Sequence, residues 1–181
     1  MDAILEETTI HRRSHVLHQM TKGLGLQEAY GKTLDRIRQG GGKSRLGMEA
    51  LMWISHAEWP LESQELCHAL GVELEGADDF NPQNIPSIST LLGLTLGLVQ
   101  IDKRESTPRL LHFTLQQYLR QHPILFVTSH SMMAEICLTY LNSQSIRALQ
   151  PTLNNVLNPM PFLEYATCFW GAHAARRVTK Q

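Results

Sequence analysis

Residues 98–119, LVQIDKRESTPRLLHFTLQQYL (Leu98 to Leu119), decide the reading of this chain. Leu98 to Asp102 and Arg109 to Phe113 are short apolar, β-prone runs. Between them lies Lys103-Arg104-Glu105-Ser106-Thr107-Pro108, a charged, turn-prone tip, so the pattern predicts a β-hairpin. A helix then follows at once. Thr114 offers an N-cap oxygen, Gln117 three residues on completes a capping box, and Phe113 with Tyr118 stands at the spacing of a hydrophobic staple. His112 is thereby held one residue before the helix entrance.

Upstream of the hairpin, Pro86 and Ser87 open a helix in which Ile88, Leu91, Leu92, Thr95 and Leu96 follow the spacing of one helical face. Those apolar side chains are expected to point inward, with Gly97 as the residue that ends the helix. The acidic, turn-rich stretch from Glu73 to Ile85 reads as a loop. Before it, a helix from about Leu46 to Ala57 places Ala50, Leu51, Ile54 and Ala57 on one side, and Trp59-Pro60 ends it. A shorter helix from Glu62 to Leu70 turns Leu66, Ala69 and Leu70 inward and closes at Gly71. Three helices followed by two strands is the order of a winged helix. The fold class expected is therefore mainly α: a winged helix, three helices plus a small β-hairpin, with flanking helices at both ends.

The flanks read as helical. Leu26, Tyr30, Leu34 and Ile37 share a face before Gly40-Gly41-Gly42 breaks the chain, and residues 1–22 are polar and weakly patterned. After the hairpin, a helix from Leu115 to Gln121 stops at His122-Pro123. Met132 to Leu141 aligns Met133, Ile136, Cys137, Tyr140 and Leu141, and a weaker helix is expected near Thr152. Phe162, Tyr165, Ala166, Phe169 and Trp170 form an aromatic stripe that needs a partner, either this domain or a following helical array. The divisions expected are 1–42, an N-terminal helical segment; 43–122, the winged helix; and 123–181, a helical linker.

Composition bounds the function. The 181 residues are 43% hydrophobic and 18% charged, ordinary for a globular chain, and the net charge of -1 gives no general pull toward nucleic acid or anionic membrane. Neither a secretory signal in the N-terminal residues nor an apolar run of the roughly 20 residues needed for a membrane span is expected. Cys67, Cys137 and Cys168 are odd in number, far apart and on apolar helical faces, as for reduced core thiols inside a cell.

Chemistry-bearing patterns are sparse. Gly42-Lys43-Ser44 resembles the tail of a phosphate-binding loop, but Ile37 occupies the place of the required glycine and a helix, not a strand, precedes it. His11, His15 and His18 lie at helical spacing, yet neither HExxH nor a nearby cysteine completes a zinc set, so no metal ligand is expected. No nucleophile–base pair appears, so the chain is expected not to be an enzyme. DNA binding is the rival reading, because winged helices often read bases through the third helix. Here that helix, PSISTLLGLTLG, has no Lys, Arg, Asn or Gln, and the wing's Lys103, Arg104 and Arg109 are offset by Glu105. Nucleic acid and membrane are thus not expected partners.

EALMWISHAEWPLESQELCHALGVE (49–73), IPSISTLLGLTLGLVQID (85–102) and RLLHFTLQQYL (109–119) together resemble the winged-helix segment of fungal NACHT-type signalling ATPases of the STAND class. That segment is described as the winged helix domain of the GPI inositol-deacylase type. The similarity continues through CLTYLNS (137–143) and PFLEYATCFWGAHA (161–174), where the family begins a linker to C-terminal repeats, often ankyrin. Upstream, GLGLQEAYGKTLDRI (23–37) looks like the helical end of the NACHT module. The resemblance implies a non-catalytic regulatory and interaction module, cytoplasmic, working with a NACHT module and ankyrin-type repeats in cis or trans. It also implies a role for His112: in related plant resistance and apoptotic ATPases, a histidine ending the second wing strand touches bound ADP. The plant pattern has Asp next, whereas Phe113 stands here, and the family's Thr helix cap before the second helix is replaced by Glu62. With no Walker motif in these residues, no cofactor is expected for this segment alone. ADP or ATP enters only with an upstream NACHT module, and the chain reads as a fragment or truncated protein.

Overall fold

The computed structural model describes residues 24–74, 80–148 and 160–178. In chain order these form α1 (Leu24–Arg38), α2 (Ser44–His56), α3 (Ser63–Leu70), α4 (Ile88–Leu94), the strands β1 (Val99–Asp102) and β2 (Thr107–Leu110), then α5 (Phe113–Gln121), α6 (Ser129–Asn142), α7 (Gln144–Arg147) and α8 (Leu163–Val178). Single 3-10 turns at Gly41–Lys43, Pro82–Asn84 and Pro123–Phe126 join several of them. The predicted winged-helix order is present: α2, α3 and α4, then an antiparallel ribbon. The N-terminal His11, His15 and His18 and the helix expected near Thr152 lie outside the described residues.

Helix α2 is the hub, packing against α1, α3, α4, β2 and α6. Its Ala50, Leu51 and Trp53 are wholly buried. Gly47 allows this crowding, since a Cβ there would stand 3.0 Å from Ile37 Cγ2 and 3.1 Å from the Leu94 carbonyl oxygen. Gly47→Ala should therefore destabilise the fold by about 1–2 kcal/mol in chemical denaturation, because overpacking outweighs the gain in helix propensity. From α1, Tyr30, Leu34 and Ile37 enter the same core, but Leu26, expected beside them, is exposed. Helix α3 begins as predicted after Glu62, and Glu65 Oε2 accepts the Glu62 backbone N–H at 2.7 Å to complete a capping box. The acid thus does the work of the missing Thr.

Helix α4 meets the expected burial in part. Ser87 caps it by accepting the Thr90 N–H at 3.1 Å, Leu91 is buried, and Ile88 and Leu92 pack on the core from partly buried positions. Leu96 does not follow. The helix stops at Leu94, and Leu96 (φ 49°) and Gly97 (φ 82°) turn left-handed, which leaves the Leu96 side chain exposed. The helical period ends with the last turn at Leu94, so it no longer assigns Leu96 to the buried face. Gly97 suits its conformation; Leu96 takes it against its preference.

The ribbon is shifted from the sequence expectation. Strand β2 starts at Thr107 and stops at Leu110, so Pro108 belongs to the strand and Leu111 to His112 do not. Leu111 N–H donates to the Leu98 carbonyl at 2.9 Å, and pairing alternates from there, so Pro108 opposite Ile101 falls on a pair that exchanges no bonds. A residue without an N–H costs the ladder nothing at that place. The tip, Lys103 to Ser106, is tied down by Ser63, whose N–H donates to the Ser106 carbonyl at 3.0 Å. Thr107 is buried, yet its Oγ1 finds no hydrogen-bond partner among the described residues. Thr107→Val keeps the β-branched shape and removes that hydroxyl, and should raise stability by about 1 kcal/mol in urea unfolding.

Helix α8 lies along α6 and supplies the partner that the aromatic stripe required. Phe162, Tyr165 and Ala166 are wholly buried, with Phe162 and Tyr165 edge-on to Trp53 and Phe162 edge-on to Tyr140, while Trp170 stays exposed. On α6 the predicted face of Met133, Ile136, Cys137 and Tyr140 is buried. Two composition-level expectations need correction here. Pro123–Asn142 reaches a mean hydropathy of 1.4, long and apolar enough by composition to cross a membrane. His, Ser and Thr interrupt its apolar residues, and Glu135 is its one acidic or basic residue among Asp, Glu, Lys and Arg. Cys67 and Cys137 are buried with their thiols pushed up to about 11 and about 12 by desolvation, but Cys168 is exposed on the outer face of α8.

Candidate functional site

The strand-to-helix junction at His112 is built differently from its sequence reading. His112, not Thr114, occupies the N-cap position of α5, in extended backbone (φ -136°, ψ 142°). Its imidazole makes no capping bond and is exposed. Thr114 instead places Oγ1 2.8 Å from Tyr30 Oη, tying α5 to α1, and Tyr118 adds an edge contact to Tyr30 at 5.7 Å. Phe113 is 70% exposed, so the expected staple with Tyr118 is absent. A long-range tie to α1 has displaced a local cap, which a motif of four residues cannot reveal.

His112 stands on the rim of an open groove of about 400 Å³ between the end of α2, the Pro60 turn, β2 and the start of α5. Arg109, Phe113 and Arg120 line it too, as do Glu58 and Trp59. Arg109 is already engaged, with Nε 3.7 Å from Asp102 Oδ2 and its guanidinium paired to Glu105. The wing's basic character is thus largely answered from within the hairpin. The groove reaches the start of α5, and the N-terminal end of a helix carries partial positive charge that favours an anion. The exposed His112 imidazole and Phe113 ring at the helix entrance, with Arg120 from the last turn of α5 lining the same groove, make a surface suited to a polar, negatively charged contact from outside.

Glu58 also belongs to a second group on its buried side. Its backbone N–H donates to Tyr165 Oη at 3.0 Å, and Tyr165 Oη lies 2.8 Å from His173 Nε2. His173 Nδ1 lies 2.8 Å from His130 Nδ1, so a single proton bridges the two rings. His173 is wholly buried, and desolvation, with His130, Arg176 and His56 nearby, holds its pKa down at about 4. The Glu58 carboxylate takes Arg176 on Oε2 at 2.9 Å, while its buried Oε1 has no hydrogen-bond partner among the described residues. A ligand atom from each of Glu58, His130 and His173 lies within 4.8 Å of the others. Sequence reading missed this group, because its members come from the turn after α2, the first turn of α6 and the middle of α8. The WISHAEWP run marks Glu58 only as a polar residue between two tryptophans.

The family model of the winged helix domain of GPI inositol-deacylase matches residues 34–137, from inside α1 to the buried middle of α6. No curated protein and no solved structure matches the chain.

Proposed function

Because the chain belongs to the family of GPI inositol-deacylase winged helix domains, we propose that it is a non-catalytic regulatory and interaction module. In this reading it serves as the winged-helix segment of a NACHT-type STAND signalling ATPase in the cytoplasm. The module rests against a nucleotide-binding domain, keeps that domain closed, and passes its opening to ankyrin-type repeats. His112 is the contact to the nucleotide held by that domain. The observation that carries the proposal is the N-cap imidazole of α5: it is exposed, makes no capping bond, and lines a groove that Arg120, from the last turn of the same helix, also lines. A histidine placed there adds nothing to its own helix, so its position favours an external partner. Adenine nucleotide enters only with the NACHT module; no catalytic pair is assigned to this segment.

The test joins this chain behind a matching NACHT module and compares ADP retention in the parent with His112→Ala. Faster ADP loss, by roughly 10- to 150-fold for one contact to a charged group worth about 1.5–3 kcal/mol, is the expected result. Unchanged retention removes the sensor role. The rival, a DNA-binding regulator, is addressed by mobility-shift titration at low salt with Lys103→Glu, Arg104→Glu and Arg109→Glu combined. A salt-sensitive shift abolished by those changes would establish the rival instead. The proposal fits better with a third helix, α4, whose exposed Ser89, Thr90 and Gly93 offer no cationic or amide group for phosphates and base edges.

A further inference from the structure

We propose that Glu58, His130 and His173 form a three-ligand site for a divalent transition-metal ion of the zinc class, which pins α8 onto the winged-helix core. Two imidazoles and one carboxylate are a donor set such ions favour, and three protein ligands leave a fourth position for water. Each donor comes from a different segment: the turn after α2, the first turn of α6 and the middle of α8. An ion bound there closes long loops of chain, so its binding energy adds directly to tertiary stability.

The local chemistry suits the ion. The two Nδ1 atoms, 2.8 Å apart, face one another across a single proton. A zinc ion with bonds of about 2.0–2.1 Å sets such atoms roughly 3.4 Å apart, so exchanging proton for metal needs only a small opening of the rings. Glu58 Oε1 is buried with no hydrogen-bond partner among the described residues, a cost that a metal bond removes. On its far side, His173 Nε2 meets Tyr165 Oη at 2.8 Å, the outer contact that orients a ligating imidazole and fixes its tautomer. The Arg176 guanidinium on Glu58 Oε2, with a half-exposed side chain, opposes the ion.

The experiment is titration of the metal-free full chain with Zn2+ by calorimetry, repeated with Co2+ to read its absorption spectrum. One equivalent of tight binding, a Co2+ spectrum of nitrogen and oxygen ligation, and a rise in Tm are expected. Glu58→Gln and His130→Gln should each weaken binding at least about 10-fold, and Tyr165→Phe, a positioning residue, by about 10-fold. Replacing His11, His15 and His18 by Ala should leave this binding intact. No binding by the parent chain, indifference to both Glu58→Gln and His130→Gln, or loss with the three N-terminal histidines overturns the site. If the ligand variants fail to fold, Arg176→Gln decides: tighter binding supports the site, and unchanged or weaker binding rejects it.

Discussion

Trp53→Ala should cost about 3–5 kcal/mol of folding stability, read as a lower urea midpoint in the full chain. Trp53 is wholly buried on α2 and meets Phe162, Tyr165 and His173 edge-on, with ring centres at 5.5, 5.7 and 6.3 Å. Truncation leaves a void among groups held by several elements, so little collapse can refill it. The loss comprises burial of a large ring and the geometry-dependent gain of edge-to-face pairs, about 0.5–1.5 kcal/mol each. Trp53→Phe should cost distinctly less. It retains a ring against Phe162 and removes the indole N–H, which is buried with no hydrogen-bond partner among the described residues. Equal losses for the two variants would mean that shape alone, not ring contact, holds this centre.

Deleting α8 should have an effect at least as large. A chain ending at Ser143 keeps all of the family-matched region 34–137 yet lacks Phe162, Tyr165 and Ala166, all fully buried. The loss strips cover from Trp53 and Tyr140 at once, and Tyr165 no longer accepts the Glu58 N–H. Two aromatic side chains at about 1.5–3 kcal/mol each, with newly bared partners, approach the whole net stability of a domain, about 5–15 kcal/mol. The expected product retains helical far-ultraviolet signal, binds a hydrophobic dye and unfolds without a sharp transition. A sharp transition at an unchanged midpoint would show that α8 is appended to the core and not part of it.

The winged-helix order was legible because its elements carry local signals. The Ser87 cap, the inward run of Leu66, Ala69 and Leu70, and the alternation around a charged tip each act within a few residues. Burial on α6 followed the same logic, since Met133, Ile136, Cys137 and Tyr140 repeat at helical spacing. Errors gathered where a distant partner competes with a local rule. Thr114 is drawn from capping by Tyr30, 84 residues away, and Leu96 turns outward because the chain must leave α4 for β1. Strand β2 reaches back over Pro108 because pairing, not propensity, assigns which N–H is needed.

Periodicity, turns and caps act through neighbours along the chain, and in this protein they suffice for the kind and order of its helices and its ribbon. The sequence likewise sets His112 between the wing and the next helix, whereas its place as the N-cap of α5 emerged only in the fold. Tertiary structure alone decided that Trp53 is the centre on which α2 and α8 meet, and that Glu58, His130 and His173 converge beside it. Contacts such as Glu58 with Arg176 join residues 118 positions apart. Their proximity depends on how the helices pack, and no local pattern of side chains encodes a distance that only packing creates.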